Sequence, residues 1–167
     1  MYGSNLPPKP PSASRASLAI ITDPSQANAF GIIHGGVILR LFDECGALAA
    51  FRHHGGASIT TATIDSVTFL SPVRVGERLH LTAEITHVGC TSMEARIVVT
   101  AEPLAAAEPR KVAVGYGLYV ALNDQGRPVP VAPLLLDDET AAQEAEERQS
   151  IRLARRSAAQ RYPLPPT

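Results

Sequence analysis

Residues 28–44 join a glycine-rich turn, His34-Gly35-Gly36, to an apolar stretch that carries a carboxylate, Asp43. From Val37 to Phe51 the only residues that are not apolar are Arg40, Asp43, Glu44 and Gly46. A helix that is apolar on nearly every face is buried. An ionised carboxylate on such a helix is costly unless it is paired or takes part in chemistry. Asp43 is therefore a candidate general base or nucleophile. Two glycines let the backbone come close to another group, and a helix N-terminus presents unpaired N–H donors with a positive partial charge. That combination suits an oxyanion developing on a carbonyl, such as that of a thioester. The same residues also allow a plainer arrangement. Arg40 precedes Asp43 and Glu44 by three and four positions, so the charges could pair along one solvated strip, and the turn could be only a tight helix entry. Glu44 fits that strip, whereas the glycine turn sets Asp43 apart.

The elements that would position these residues are legible in outline. Leu18 to Thr22 reads as a short strand, followed by a turn at Asp23-Pro24-Ser25. The helix runs from about Gly36 to about His53, with Gly55-Gly56 as its stop signal. The period then changes, and Ser58–Leu70, Arg78–Val88, Ser92–Glu102 and Arg110–Leu122 read as strands. The short turns between them favour antiparallel neighbours. Asp137 to Arg161 reads as a polar helix, acidic first and basic last.

Composition narrows the function classes. A chain of 167 residues with 45% hydrophobic content has room for one domain with a real core. A net charge of −1 gives no nucleic-acid footprint. No apolar run reaches membrane-spanning length. Residues 1–16 are rich in Pro and Ser without a signal-peptide core, and are expected to form a disordered arm. Cys45 and Cys90 lack metal-ligand spacing and fit a reducing cytoplasm. The five histidines form no His-Glu-x-x-His pattern, so neither a metal nor an organic cofactor is expected.

One buried helix followed by four long strands poses a packing problem, because a sheet of that length must have its apolar face covered. An antiparallel sheet curled around the single helix solves it. The expected fold is thus α+β of the hot-dog type, with the core domain at residues 17–136 and a C-terminal helix and tail at 137–167.

Residues 28–44 resemble the signature of hot-dog acyl-CoA thioesterases of the brain acyl-CoA hydrolase type. Three further blocks agree in order and spacing: Asp65–Glu77, Thr91–Glu94 and Tyr119–Val131. The resemblance covers about Ser17 to Pro133. It implies hydrolysis of fatty acyl-CoA to free acid and CoA, and it places the family's catalytic Asn and acidic residue at Asn28 and Asp43. His34 also matches, either as a supporting catalytic residue or as a packed loop histidine.

Gly36 and Asp43 are seven residues apart, about 10 Å along a helix. One thioester carbon cannot lie within about 3 Å of both. A second, antiparallel copy of the helix would bring its Asp43 beside the first copy's turn. The expectation is a homodimer, able to assemble further into tetramers or hexamers. Each site would draw Asn28 and the Gly35 and Gly36 amides from one subunit and Asp43 from the other. Arg74, Thr91 and Ser92 are candidates for holding CoA phosphates, or are surface charge and turn hydroxyls. Thr60 and Thr61 could line the pocket, although β-propensity alone explains them. Arg152, Arg155, Arg156 and Arg161 read as a solvated helix face or as an aid to CoA binding across an oligomer interface. A hot-dog hydratase or dehydratase would call for an Asp–His pair. A non-catalytic acyl-CoA sensor would call for an effector domain that the arm before Ser17 is too short to hold, and a purely structural subunit would leave both Asn28 and Asp43 unexplained. Neither nucleic acid nor membrane is expected as a partner.

Overall fold

The computed structural model describes residues 6–56, 58–105, 108–136 and 139–159. The chain divides into two units, Met1–Leu135 and Leu136–Thr167. The first contains strands β1 (Ala16–Ile21), β2 (Ser58–Phe69), β3 (Glu77–Val88), β4 (Ser92–Pro103) and β5 (Arg110–Leu122), with helix α1 (Gly35–His54) between β1 and β2. The second contains helix α2 (Glu139–Ala159), which carries Arg156 in its last turn. The ends of the helix expected over residues 137–161 lie outside the described residues.

The sheet is wholly antiparallel in the order β1-β3-β4-β5-β2. Its period-two pattern turns Leu79, Leu81 and Ile85 of β3, Ile97 and Val99 of β4 and Tyr119 of β5 inward, all fully buried. Against them α1 buries Ile38, Leu41, Phe42, Cys45, Ala49 and His53. Burying each large aliphatic side chain stabilises the fold by roughly 1.5–3 kcal/mol, which is why the apolar helix sits inside the curled sheet. This is the hot-dog arrangement anticipated from the strand and helix order.

Both ends of α1 are tied. His34 caps the N-terminus, and Gly55 (φ +82°) closes the C-terminus by donating to Phe51 O at 2.8 Å. Gly55 lies in the left-handed region that a glycine enters without strain. Lys9 Nζ donates to His53 O at 2.6 Å, placing a cation at the negative end of the helix dipole.

Lys9 also corrects the expected arm. From Leu6 onward the arm is described, and it docks. Lys9 N donates to Pro133 O, Leu135 N donates to Lys9 O, and buried Ser14 accepts from Ile85 N through its hydroxyl (2.8 Å). A Pro-started 3₁₀ turn, Pro11–Ser14, delivers that hydroxyl. Composition suggested disorder because these links are backbone and single-hydroxyl contacts, which leave no apolar period to read. Strand β1 also starts two residues earlier than expected and ends before Thr22, whose buried hydroxyl donates to Arg74 O and Glu77 O. Among the described residues no helix is long and apolar enough to cross a membrane.

Candidate active site

Asn28 sits at the head of a tight loop. Its backbone N–H donates to Ile32 O (2.8 Å) and its carbonyl accepts from Gly31 N (3.0 Å). Gly31 has φ +72°, a conformation strained for any other residue. The Asn28 side-chain oxygen accepts from Phe30 N (2.9 Å) and Ile32 N (3.4 Å). These bonds fix which side-chain atom is oxygen and leave the NH₂ group as the part able to serve a ligand. The loop is anchored by Ile33 N to Val73 O and His34 N to Gln26 O.

At the entry to α1, His34 Nδ1 accepts the Gly36 amide proton at 2.9 Å. A Cβ at Gly36 would stand 3.0 Å from that nitrogen, so the glycine is what lets the imidazole close over the first turn. Of the expected pair of amide donors, the Gly36 N–H is bonded to this cap. Gly35, with Asn28, Ile32, Ile38 and Phe69, lines a cleft of about 400 Å³. The Phe69 ring covers Gly35 closely enough that a Cβ there would lie 3.5 Å from Cζ.

Asp43 is not among the residues lining that cleft. It is half-buried farther along α1, and its carboxylate accepts from Thr61 Oγ1 at 2.7 Å. Thr61 is paired with Tyr119 in the β2–β5 ladder, and the register shifts directly after it. A bulge of this kind re-aims a strand side chain. Tyr119 Oη donates to the backbone carbonyl of Asp43 at 3.2 Å. Burial, then the Asp43 charge, pushes the Tyr119 phenol well above its ordinary range. Glu44, one residue on, is exposed and pairs with Arg40 at 2.8 Å, as the sequence suggested. Cys45 is buried and its thiol is pushed up to about 11 by desolvation, so it stays protonated at neutral pH.

Arg74 forms a bridge with Ile32 and so stands at the rim of the Asn28 cleft. Its loop is held by Glu77, which accepts from Arg74 N and, through two bonds of 2.9 and 2.7 Å, from Arg110. The Arg110 guanidinium holds the Glu77 carboxyl below the usual carboxylate range. Thr91 and Ser92 lie at the opposite end of the sheet, where Ser92 pairs with Val120 beside Thr61's partner Tyr119. One chain thus gathers Asn28, Gly35 and Arg74 at one end, and Asp43, Thr61, Thr91 and Ser92 toward the other.

The Thioesterase superfamily matches over residues 30–107. A solved apo-hexameric acyl-CoA thioesterase is 30% identical, covers 94% of this chain and all of its own, and superposes with a TM-score of 0.85. The chain belongs to the hot-dog acyl-CoA thioesterase family. An acyl-CoA hydrolase of Staphylococcus aureus, solved with butyryl-CoA, CoA and CoA disulfide, is 28% identical over 92% of this chain and 93% of its own, with a TM-score of 0.80. Variants of that hydrolase at an asparagine, an aspartate and a threonine have also been solved. The cytosolic acyl coenzyme A thioester hydrolase of Rattus norvegicus is 32% identical over 145 residues, 86% of this chain. The match spans only 38% of the rat protein's length.

Among the residues at this site, Phe69 and Tyr119 lie within blocks that carry the resemblance, but nothing in the sequence singled either out as a site residue, since both read as ordinary strand residues. Thr61 was visible only as one of two neighbouring threonines. The bulge that aims it at Asp43 has no mark in the sequence.

Proposed function

We propose that the protein hydrolyses acyl-CoA thioesters at a site completed by a second copy of the chain. The separation of Asp43 from the Asn28–Gly35 cleft carries this reading. Strand β2 supplies the means of closing it: it is a sheet edge of 12 residues, with Ile64 40% exposed. A long exposed edge is a template for another strand. If two β2 strands pair antiparallel about their centre near Ile64 and Asp65, Thr61 of one copy falls opposite Thr68 of the other. That places one copy's Asp43 beside the other's Phe69, Gly35 and Asn28. The hexameric relative supports self-assembly of this kind.

In the composite site the Asn28 NH₂ group and the Gly35 N–H donate to the thioester oxygen, assisted by the positive end of α1. Asp43, oriented by Thr61, takes the proton of an attacking water, or attacks the acyl carbon itself. On the first route the C–S bond breaks as the water oxygen bonds to the acyl carbon, and the proton held by Asp43 passes to the CoA sulfur. On the second the departing CoA thiolate leaves an acyl anhydride on Asp43, and water then cleaves that anhydride, releasing the acid, restoring the carboxylate and supplying the thiol proton. Arg74 of one subunit and Thr91 and Ser92 of the other flank the cleft from two sides and suit the phosphates of CoA. The S. aureus relative solved with butyryl-CoA supports the substrate class. A cytosolic relative supports a cytoplasmic site of action. The test is release of free thiol across acyl-CoAs from acetyl to palmitoyl, with and without chelator. Turnover that survives chelation is expected, and no turnover with any member of the panel contradicts the proposal.

A further inference from the structure

Tyr119 is fully buried, yet its hydroxyl is aimed at α1 rather than at the sheet. Two glycines make the room. A Cβ at Gly46 would stand 2.1 Å from Tyr119 Oη, and one at Gly117 would stand 2.6 Å away. Real Cβ contacts of that length do not occur, so any side chain at either position would displace the phenol. The notch lies where α1 and β5 pack, and the segment it holds is the one bearing Asp43.

Tyr119 and Thr61 are ladder partners on β5 and β2. Both hydroxyls turn to the same helical residue, Thr61 to the Asp43 carboxylate at 2.7 Å and Tyr119 to the Asp43 carbonyl at 3.2 Å. The backbone carbonyl of a mid-helix residue already accepts from the helix, so this second donor is not needed to satisfy it. A buried phenol at this spot is a costly way to fill space, since a Phe would fill it with no polar atom to desolvate. The Asp43 charge also acts on the phenol, helping to hold it protonated and therefore a donor.

We propose that Tyr119 is a positioning residue for the thioesterase reaction. With Thr61 it clamps Asp43 from two adjacent strands, fixing where the carboxylate stands when a partner subunit's cleft closes on it. This rests on the reading of Asp43 as the base or nucleophile.

The experiment compares Tyr119→Phe with Asp43→Asn in steady-state thiol release. Tyr119→Phe keeps the ring and its packing. It is expected to lower kcat by about tenfold through misplacement of the carboxylate, with KM unchanged. Asp43→Asn is expected to lower kcat by about 10²-fold or more. If Asp43→Asn retains wild-type kcat, the reading of Asp43 is wrong whatever Tyr119 does. If Asp43→Asn shows that loss while Tyr119→Phe keeps wild-type kcat, Tyr119 is packing only and the positioning proposal fails alone. Should Tyr119→Phe not fold, 3-fluorotyrosine placed at 119 keeps the hydroxyl and makes it a stronger donor. The altered bond to the Asp43 carbonyl should then change kcat with KM unchanged, and an unchanged kcat overturns the proposal.

Discussion

The imidazole of His34 caps α1 from within its own motif, with Nδ1 accepting the Gly36 amide proton at 2.9 Å. An Nδ1 that accepts a hydrogen bond requires the neutral ring with its proton on Nε2. The histidine thus caps α1 beside Gly35, which lines the cleft. His34→Ala should lose about 1 kcal/mol of stability in urea unfolding, the usual cost of an N-cap. His34→Asn, whose side-chain oxygen is a good cap, should recover most of it. If His34 serves only as the cap, His34→Asn also keeps kcat. A stable His34→Asn protein with strongly reduced kcat would give the imidazole a chemical role.

Asp43 and Glu44 are neighbours with opposite surroundings: one is bonded to Thr61, and the other is exposed and paired with Arg40. Asp43→Asn should leave the fold intact and lower kcat by about 10²-fold or more, the scale for losing a positioned acid–base group. Glu44→Gln should change kcat and KM little, since an exposed helical ion pair contributes little. Equal losses in the two variants would place Asp43 in the same surface strip as Glu44.

Thr61 supplies the one side-chain donor found on the Asp43 carboxylate among the described residues. Thr61→Val keeps the β-branched shape but removes that donor, so the carboxylate loses its orientation. The variant should lower kcat by about tenfold with KM little changed. Thr61→Ser should restore the wild-type kcat. A Thr61→Val protein with wild-type kcat would mean that the hydrogen bond does not orient the reacting group.

The fold was legible because its determinants are periodic. The apolar run after Gly36 and four strands with turn signals leave few ways to cover the sheet, and β5 occupies the span read for it. Asp43 was legible for a related reason, as a charge interrupting a buried helix. Contacts that depend on register or on a bulge were not. Nothing in the residue types at 61 and 119 says that they are cross-strand partners, or that both meet Asp43. The cap on the Gly36 amide was not legible because a histidine is an unusual cap, and its side-chain direction is fixed only in three dimensions. The docked arm escaped for want of any apolar pattern.

His53 gives a pH dependence that is independent of catalysis. Its ring is fully buried and Nε2 bonds to Ala132 O at 3.0 Å, while Nδ1 has no hydrogen-bond partner among the described residues. Burial lowers its pKa below the ordinary 6.5, and the charges of Lys9 and His54 act in the same direction. Below about pH 6.5 the unfolded chain therefore binds a proton that the folded chain refuses, and stability drops as pH falls. Thermal unfolding at pH 7.5 and pH 5.5 should show a Tm loss for the wild type that is smaller in His53→Gln. An equal loss in both would assign the acid sensitivity to other groups.

Complementation between two inactive variants tests the shared site most directly. Asn28→Ala and Asp43→Ala homodimers should each be nearly inactive, because every site lacks one partner. After subunit exchange, verified by mass spectrometry, each heterodimer has one site with both defects and one with none. Random exchange makes half of the dimers heterodimers, so thiol release should recover to about a quarter of the wild-type rate for independent sites in an isologous dimer. If Asn28 and Asp43 act within one subunit, every site in the mixture keeps a defect. A mixture no more active than its unmixed components would contradict a site built from two chains.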